Sequence, residues 1–175
     1  VDFIDIDDSK VQVAGYSGER QFSFNAGIVI LTGGFRTGLL KQVGLEKNNQ
    51  LDYLIGTQIR VKAPNINRTH IYTGSGVSPG SFAWLVPTYG DDALLGRVSR
   101  ERLNGCLDGL MDTLVTDGTI TSPVSSVENW GIPLKPIPRT FASRVLVAGD
   151  AAGFAKPTTG GGIYYSILSG KISAE

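Results

Sequence analysis

One stretch limits what this chain can fold into more than any other: Arg144-Val-Leu-Val-Ala-Gly-Asp-Ala-Ala-Gly-Phe-Ala-Lys-Pro-Thr-Thr-Gly-Gly-Gly-Ile-Tyr-Tyr-Ser-Ile-Leu-Ser-Gly170. Val145–Ala148 is an apolar, largely β-branched run of the kind that forms a buried strand. Residues 149–162 form a loop with five glycines, one proline and one acid, Asp150. The spacing then predicts a helix over 163–172. Ile163 and Ile167, and Tyr164, Leu168 and Ile172, recur at i, i+4 on one side.

A strand that passes through glycines into a helix presents backbone N–H groups with no intrahelical acceptor. That place suits a phosphate, a carbonyl or a developing anion. Gly160, Gly161 and Gly162 in a row let a flat or bulky ligand lie against the backbone without meeting a Cβ. Asp150, at the carboxyl end of the strand, can accept hydrogen bonds from sugar-like hydroxyls. The competing reading is a ligand-free connection, but such connections are short and most need one glycine.

These residues carry a resemblance. Gly149-Asp150-Ala151-Ala152-Gly153 followed by Pro157-Thr-Thr-Gly-Gly-Gly-Ile163 resembles the Gly-Asp flavin motif of p-hydroxybenzoate hydroxylase-type flavoproteins. Through Tyr164-Tyr165 and Ser169-Gly170-Lys171 the stretch is most similar to the geranylgeranyl reductase family. The resemblance implies that Asp150 hydrogen-bonds the ribityl chain of FAD. It also implies that Gly149, Pro157, Gly160, Gly161, Gly162 and Ile163 lie about the cofactor, the last residues against its ring.

A second segment adds to it. Phe82-Ala-Trp-Leu-Val-Pro87, eight residues, then Gly96-Arg97-Val98 resembles the family's Tyr-x-Trp-x-Phe-Pro…Gly-x-Gly signature. Phe82, Val86 and Val98 depart from it. The resemblance implies that Phe82, Trp84, Val86 and Pro87 line the cavity for a prenyl chain. Alternation along the strand puts Phe82, Trp84 and Val86 on one face, and such a face suits apolar surface. The same pattern alone reads as an ordinary core strand. Gly33, in Thr32-Gly33-Gly34-Phe35-Arg36-Thr37, stands where the resemblance implies an acid near the cofactor.

The rest of the pattern is strand-rich. Strands are predicted over 1–6 and 10–13 around Asp7-Asp8-Ser9, over 21–24, 27–31, 55–61, 69–72, 81–88, 93–99, 120–127 and 145–148. Helices are predicted over 37–43, capped by Gly44, and over 101–115 with Leu103, Leu107, Leu110, Met111 and Leu114 on one side. Pro133, Pro136 and Pro138 make 131–140 an extended connector. Runs of strands with few helices argue an α+β fold. The resemblance resolves it into an antiparallel substrate-domain sheet with helices, residues 1–140 including the strand-turn-helix 27–44, and residues 141–175 as the C-terminal part of a p-hydroxybenzoate hydroxylase-like FAD-binding domain.

Composition excludes several classes. Sixteen basic and sixteen acidic residues give a net charge of zero, so no global field favours nucleic acid, and no basic–aromatic alternation suggests it. A lone cysteine, Cys106, rules out an internal disulfide and fits a reducing compartment, so the sequon Asn67-Arg68-Thr69 reads as unmodified. The lone histidine, His70, supports neither a metal site nor a triad. Gly76-Val-Ser-Pro-Gly80 matches a hydrolase elbow in outline, but Pro79 has no N–H to give an oxyanion. The chain starts and stops inside strand-like and helix-like patterns, which reads as a piece of a longer protein. It also lacks Gly-x-Gly-x-x-Gly, so it is expected to bind FAD weakly alone and to be inactive.

The implied activity is FAD-dependent reduction of carbon–carbon double bonds of a prenyl group, with NADPH or another reductant as electron donor. The alternatives are a flavin monooxygenase or halogenase of the same fold and a non-catalytic isoprenoid-binding relative. The implied setting is cytoplasmic, with peripheral membrane contact to reach lipid. No residue is assigned as the general acid.

Overall fold

In the computed structural model, which describes residues 1–35, 38–45, 52–100, 106–156 and 158–175, the chain divides into two compact units. One is discontinuous, Val1–Tyr53 with Ile132–Glu175; the other is Leu54–Gly131. The fold is mixed α+β, with mainly antiparallel sheets and few helices.

The discontinuous unit opens with an antiparallel meander of β1 (Phe3–Ile6), β2 (Val11–Ser17) and β3 (Arg20–Ala26). The turn between β1 and β2 is fixed by Asp7, whose carboxylate accepts from the Ser9 N–H at 2.7 Å, the Ser9 hydroxyl at 2.7 Å and the Lys10 N–H at 2.9 Å. Such a turn satisfies backbone donors locally. The hydroxyl first, then the two N–H groups, pulls the Asp7 carboxyl down to about 2.

β4 (Val29–Leu31) pairs in parallel with β12 (Val145–Val147), and β11 (Phe141–Ala142) adds to β12 antiparallel. Arg144 enters β12 with φ of 57°; its guanidinium donates to the Gly27 carbonyl at 3.0 Å and to the Asp8 carbonyl at 2.6 Å. The short helix α1 (Leu39–Gln42) ends at Gly44, where φ of 71° and the Leu45 N–H to Leu40 carbonyl bond close the terminus. The core here joins Ile4, Val11, Leu31, Val43, Val145 and Val147 with Ala151 and Ala152.

The continuous unit is a larger sheet in the order β10-β5-β8-β7-β6: β5 (Tyr53–Lys62), β6 (His70–Thr73), β7 (Phe82–Pro87), β8 (Asp92–Ser99) and β10 (Glu128–Pro133), with the two-residue β9 (Ser122–Pro123) on β5. β7 and β8 form the predicted hairpin, and Gly90 supplies the positive φ its turn needs. One face of this sheet packs against α2 (Cys106–Thr116). Ala83, Leu85, Ala93, Leu95 and Val61 from the strands are fully buried with Leu107, Leu110 and Leu114 from the helix.

Several expectations change. Only Ser122–Pro123 of the 120–127 strand forms, because Pro123 removes a ladder donor. The connector 131–140 instead begins inside β10. β3 is longer than predicted and almost wholly exposed, with Phe24 64% exposed, so its alternation does not mark a half-buried strand. The division between units also differs from the 1–140/141–175 split, because the β4–β12 pairing joins residues 29–31 to residues 145–147. Leu103, the 101–105 start of the second helix, Arg36 and Thr37 lie outside the described residues, as does the Cys106 side chain.

Candidate functional site

The strand–loop–helix of the sequence is present in the discontinuous unit. β12 ends at Val147, a 3-10 turn spans Gly149–Ala152, and α3 runs over Ile163–Ala174. Gly149, Gly153 and Gly160 have φ of 63°, 77° and 68°, so the path from strand to helix uses backbone that side-chain-bearing residues rarely adopt. At Gly153 a Cβ would also lie 2.2 Å from the Lys135 carbonyl oxygen.

Asp150 is exposed, and no donor among the described residues bonds its carboxylate. It leans over the helix start: a Cβ on Gly162 would lie 2.6 Å from Asp150 Oδ1. Glycine at 162 is therefore what lets the carboxylate and the first turn of α3 come together. α3 has no side-chain cap at Gly162, so its first N–H groups keep their positive end open beside that carboxylate.

The three glycines are not equivalent. The Gly160 N–H donates to the Lys156 carbonyl at 2.8 Å, and the Lys156 N–H returns a bond to the Gly161 carbonyl at 3.0 Å. The Gly161 N–H points at Thr159 Oγ1 at 3.4 Å. Gly160 and Gly161 thus shape the loop with their own backbone bonds. Among the described residues, the backbone N–H groups at the helix start, Gly162 and Ile163, are not used in this way. Pro157 lies outside the described residues.

A residue that sequence reasoning missed holds this arrangement. Ser169 Oγ accepts the Gly149 N–H at 3.1 Å and donates to the Ser166 carbonyl at 3.0 Å, clamping the loop's first residue to α3. Ser166, Ser169 and Ser173 form the inward side of the helix, at i, i+3 and i+7. The apolar side is bare: no residue of α3 is buried, and Ile163, Ile167 and Ile172 are 80%, 69% and 63% exposed. A serine repeat at helical spacing was the signal available.

Phe82, Trp84, Val86 and Pro87 belong to the other unit and sit on β7. Ala83 and Leu85 between them point into the core, so Phe82, Trp84 and Val86 occupy the opposite, half-buried face of the sheet. The Phe82 and Trp84 rings are 6.0 Å apart. β7 is thus a core strand on its Ala83–Leu85 side, and Phe82, Trp84 and Val86 lie half-buried on the other.

Ser78, in the hydrolase-like outline, is 1% exposed and donates its hydroxyl to the Val98 carbonyl, which is a structural role. His70 lies on β6 with its ring 6.4 Å from Tyr72, and no metal-ligating cluster exists among the described residues. No described helix is long and apolar enough to cross a membrane.

No family model matches the chain. It is 29% identical over 173 residues to the geranylgeranyl diphosphate reductase of Synechocystis sp., covering 93% of this chain and 41% of that protein. Among solved structures, a geranylgeranyl bacteriochlorophyll reductase-like protein from Thermoplasma acidophilum matches with a TM-score of 0.79 and 22% identity, over 98% of this chain and 46% of that one. The flavin-dependent halogenase CmlS matches with a TM-score of 0.70 and 18% identity, over 99% of this chain and 34% of that one. The chain spans about two fifths of the length of the curated relatives it matches.

Proposed function

The chain is a relative of the geranylgeranyl reductases, and from that premise we propose that it serves an FAD-dependent oxidoreductase that reduces carbon–carbon double bonds of a prenyl group. The observation that carries the reading is the Asp150 carboxylate set over Gly162 at the uncapped start of α3. The residues fit the cofactor in kind. An exposed carboxylate without an internal donor can accept from ribityl hydroxyls, and open helix N–H groups favour negative charge at the edge of a ring. Gly162 and Ile163 would lie nearest that edge, with Gly149, Gly160 and Gly161 holding the loop's path. When bound, FAD supplies the hydride chemistry. The chain binds and orients it, and Ser169 fixes the loop to the helix that does so.

On this reading Phe82, Trp84, Val86 and Pro87 meet the apolar chain of an isoprenoid substrate. NADPH or another reductant supplies electrons, and the protein works in the cytoplasm with peripheral contact to membrane lipid. A halogenase or monooxygenase reading draws on the likeness to CmlS. Consumption of oxygen rather than of prenyl double bonds would favour it.

The test is a titration with FAD, followed by flavin fluorescence, of a full-length protein that carries this chain and of its Asp150→Ala variant. Losing a charged acceptor of ribityl hydroxyls weakens FAD binding about tenfold or more. Equal and measurable affinity in the two proteins removes Asp150 from the site and the reading with it.

A further inference from the structure

The outer face of the larger sheet contains a feature that the second motif covers only in part. Gly56 and Gly96 lie inside strands β5 and β8, where glycine weakens a sheet and usually marks a close approach. Both notches hold an indole. A Cβ on Gly96 would lie 2.5 Å from Trp84, and a Cβ on Gly56 would lie 2.3 Å from Trp130. Trp84 faces Gly96 directly across β7 and β8, and Gly56 faces Val98, two residues along β8 from Gly96. The two notches are therefore diagonal neighbours, about 7–8 Å apart in an antiparallel ladder.

These are the only two tryptophans of the chain. Each is seated against the backbone of its glycine on the side of the sheet away from the core, and Trp130 remains 39% exposed. Phe82, Val86 and Leu94 share the face on neighbouring strands. Further along, the face turns polar, where Gln58, Arg60, Ser125 and Glu128 line a groove with Leu94. A face that is aromatic at one end and polar at the other matches an amphiphile with a long apolar chain.

We propose that Trp130, seated on Gly56 beside the Trp84–Gly96 pair, is a second contact residue for the apolar chain of the ligand. This rests on the prenyl reading of the Phe82–Pro87 strand given above. Trp130 lies outside the segment that carries the signature resemblance, and its placement depends on Gly56 rather than on that segment.

Because both tryptophans lie on this face, intrinsic fluorescence reads it directly. The probe is geranylgeraniol delivered from cyclodextrin to the 175-residue chain. In Trp84→Phe the remaining emission is that of Trp130; in Trp130→Phe it is that of Trp84. Both emissions are expected to shift saturably over the same geranylgeraniol range. Trp130→Ala weakens binding about tenfold, as truncation of a buried aromatic contact does, and Trp130→Phe recovers most of the loss. Gly56→Ala keeps the indole but evicts it from its notch, and weakens binding to a similar degree; circular dichroism confirms that each variant folds. If Trp84 responds and Trp130 does not, Trp130 is no contact and this inference falls while the prenyl reading stands. If neither responds and geranylgeraniol does not bind, both fall.

Discussion

The two units treat their apolar surface in opposite ways. In residues 54–131 one face of the sheet is covered: the sheet and α2 seal Leu85 and Leu95 completely. In the discontinuous unit much is bare. α3 buries nothing, its isoleucines are exposed, and β3 is open along its length. The difference teaches that periodicity tells which residues share a side, not which side the rest of the molecule covers. In α3 the serines face inward because Ser169 has backbone to hold at Gly149.

The sharpest break of this comparison is a pair of truncations. Leu85→Ala removes a side chain with no exposure and is expected to cost about 3 kcal/mol of stability, measured by urea denaturation. Ile167→Ser on the bare side of α3 is expected to change it by less than about 0.5 kcal/mol. A cost at Ile167 comparable to that at Leu85 would mean that its side chain is covered in solution.

The smallest effect belongs to the Asp7 turn in the discontinuous unit. Its folded carboxyl sits at about 2, below the ordinary 3.8, so the turn adds stability at and above pH 4. That contribution shrinks as pH falls from about 4 through 2, where the carboxyl begins to protonate in the folded chain as well. Asp7→Asn is therefore slightly less stable than the parent at pH 5, and the gap narrows toward pH 2 and closes below it. An undiminished gap at pH 2 would show that the turn works without its charge.

Much of this was legible in the sequence, and for physical reasons. Val145–Val147, the glycines after it and the helix from Ile163 are signalled by local chemistry: β-branched residues, positive φ and helical spacing. The β7–β8 hairpin is equally local. The parallel partnership of Val29 with Val145 was not legible, because nothing in either short strand names its partner. Nor was Trp130. It follows a stretch that reads as strand and precedes a proline-rich connector, and only the sheet brings it onto Gly56. Gly56 itself, a glycine inside a strand pattern, was the available hint. Pattern also left the face of Phe82 and Trp84 open between core and cavity; burial of Ala83 and Leu85 decides which side is core.

One backbone bond has a wider consequence. The Leu134 N–H donates to the Asp52 carbonyl at 2.9 Å, so the places where the chain leaves the discontinuous unit and rejoins it are stitched together. The intervening residues are thus an insertion on a closed stem. Substitutions within the insertion can re-tailor its aromatic face without touching the stem or the Asp150 loop.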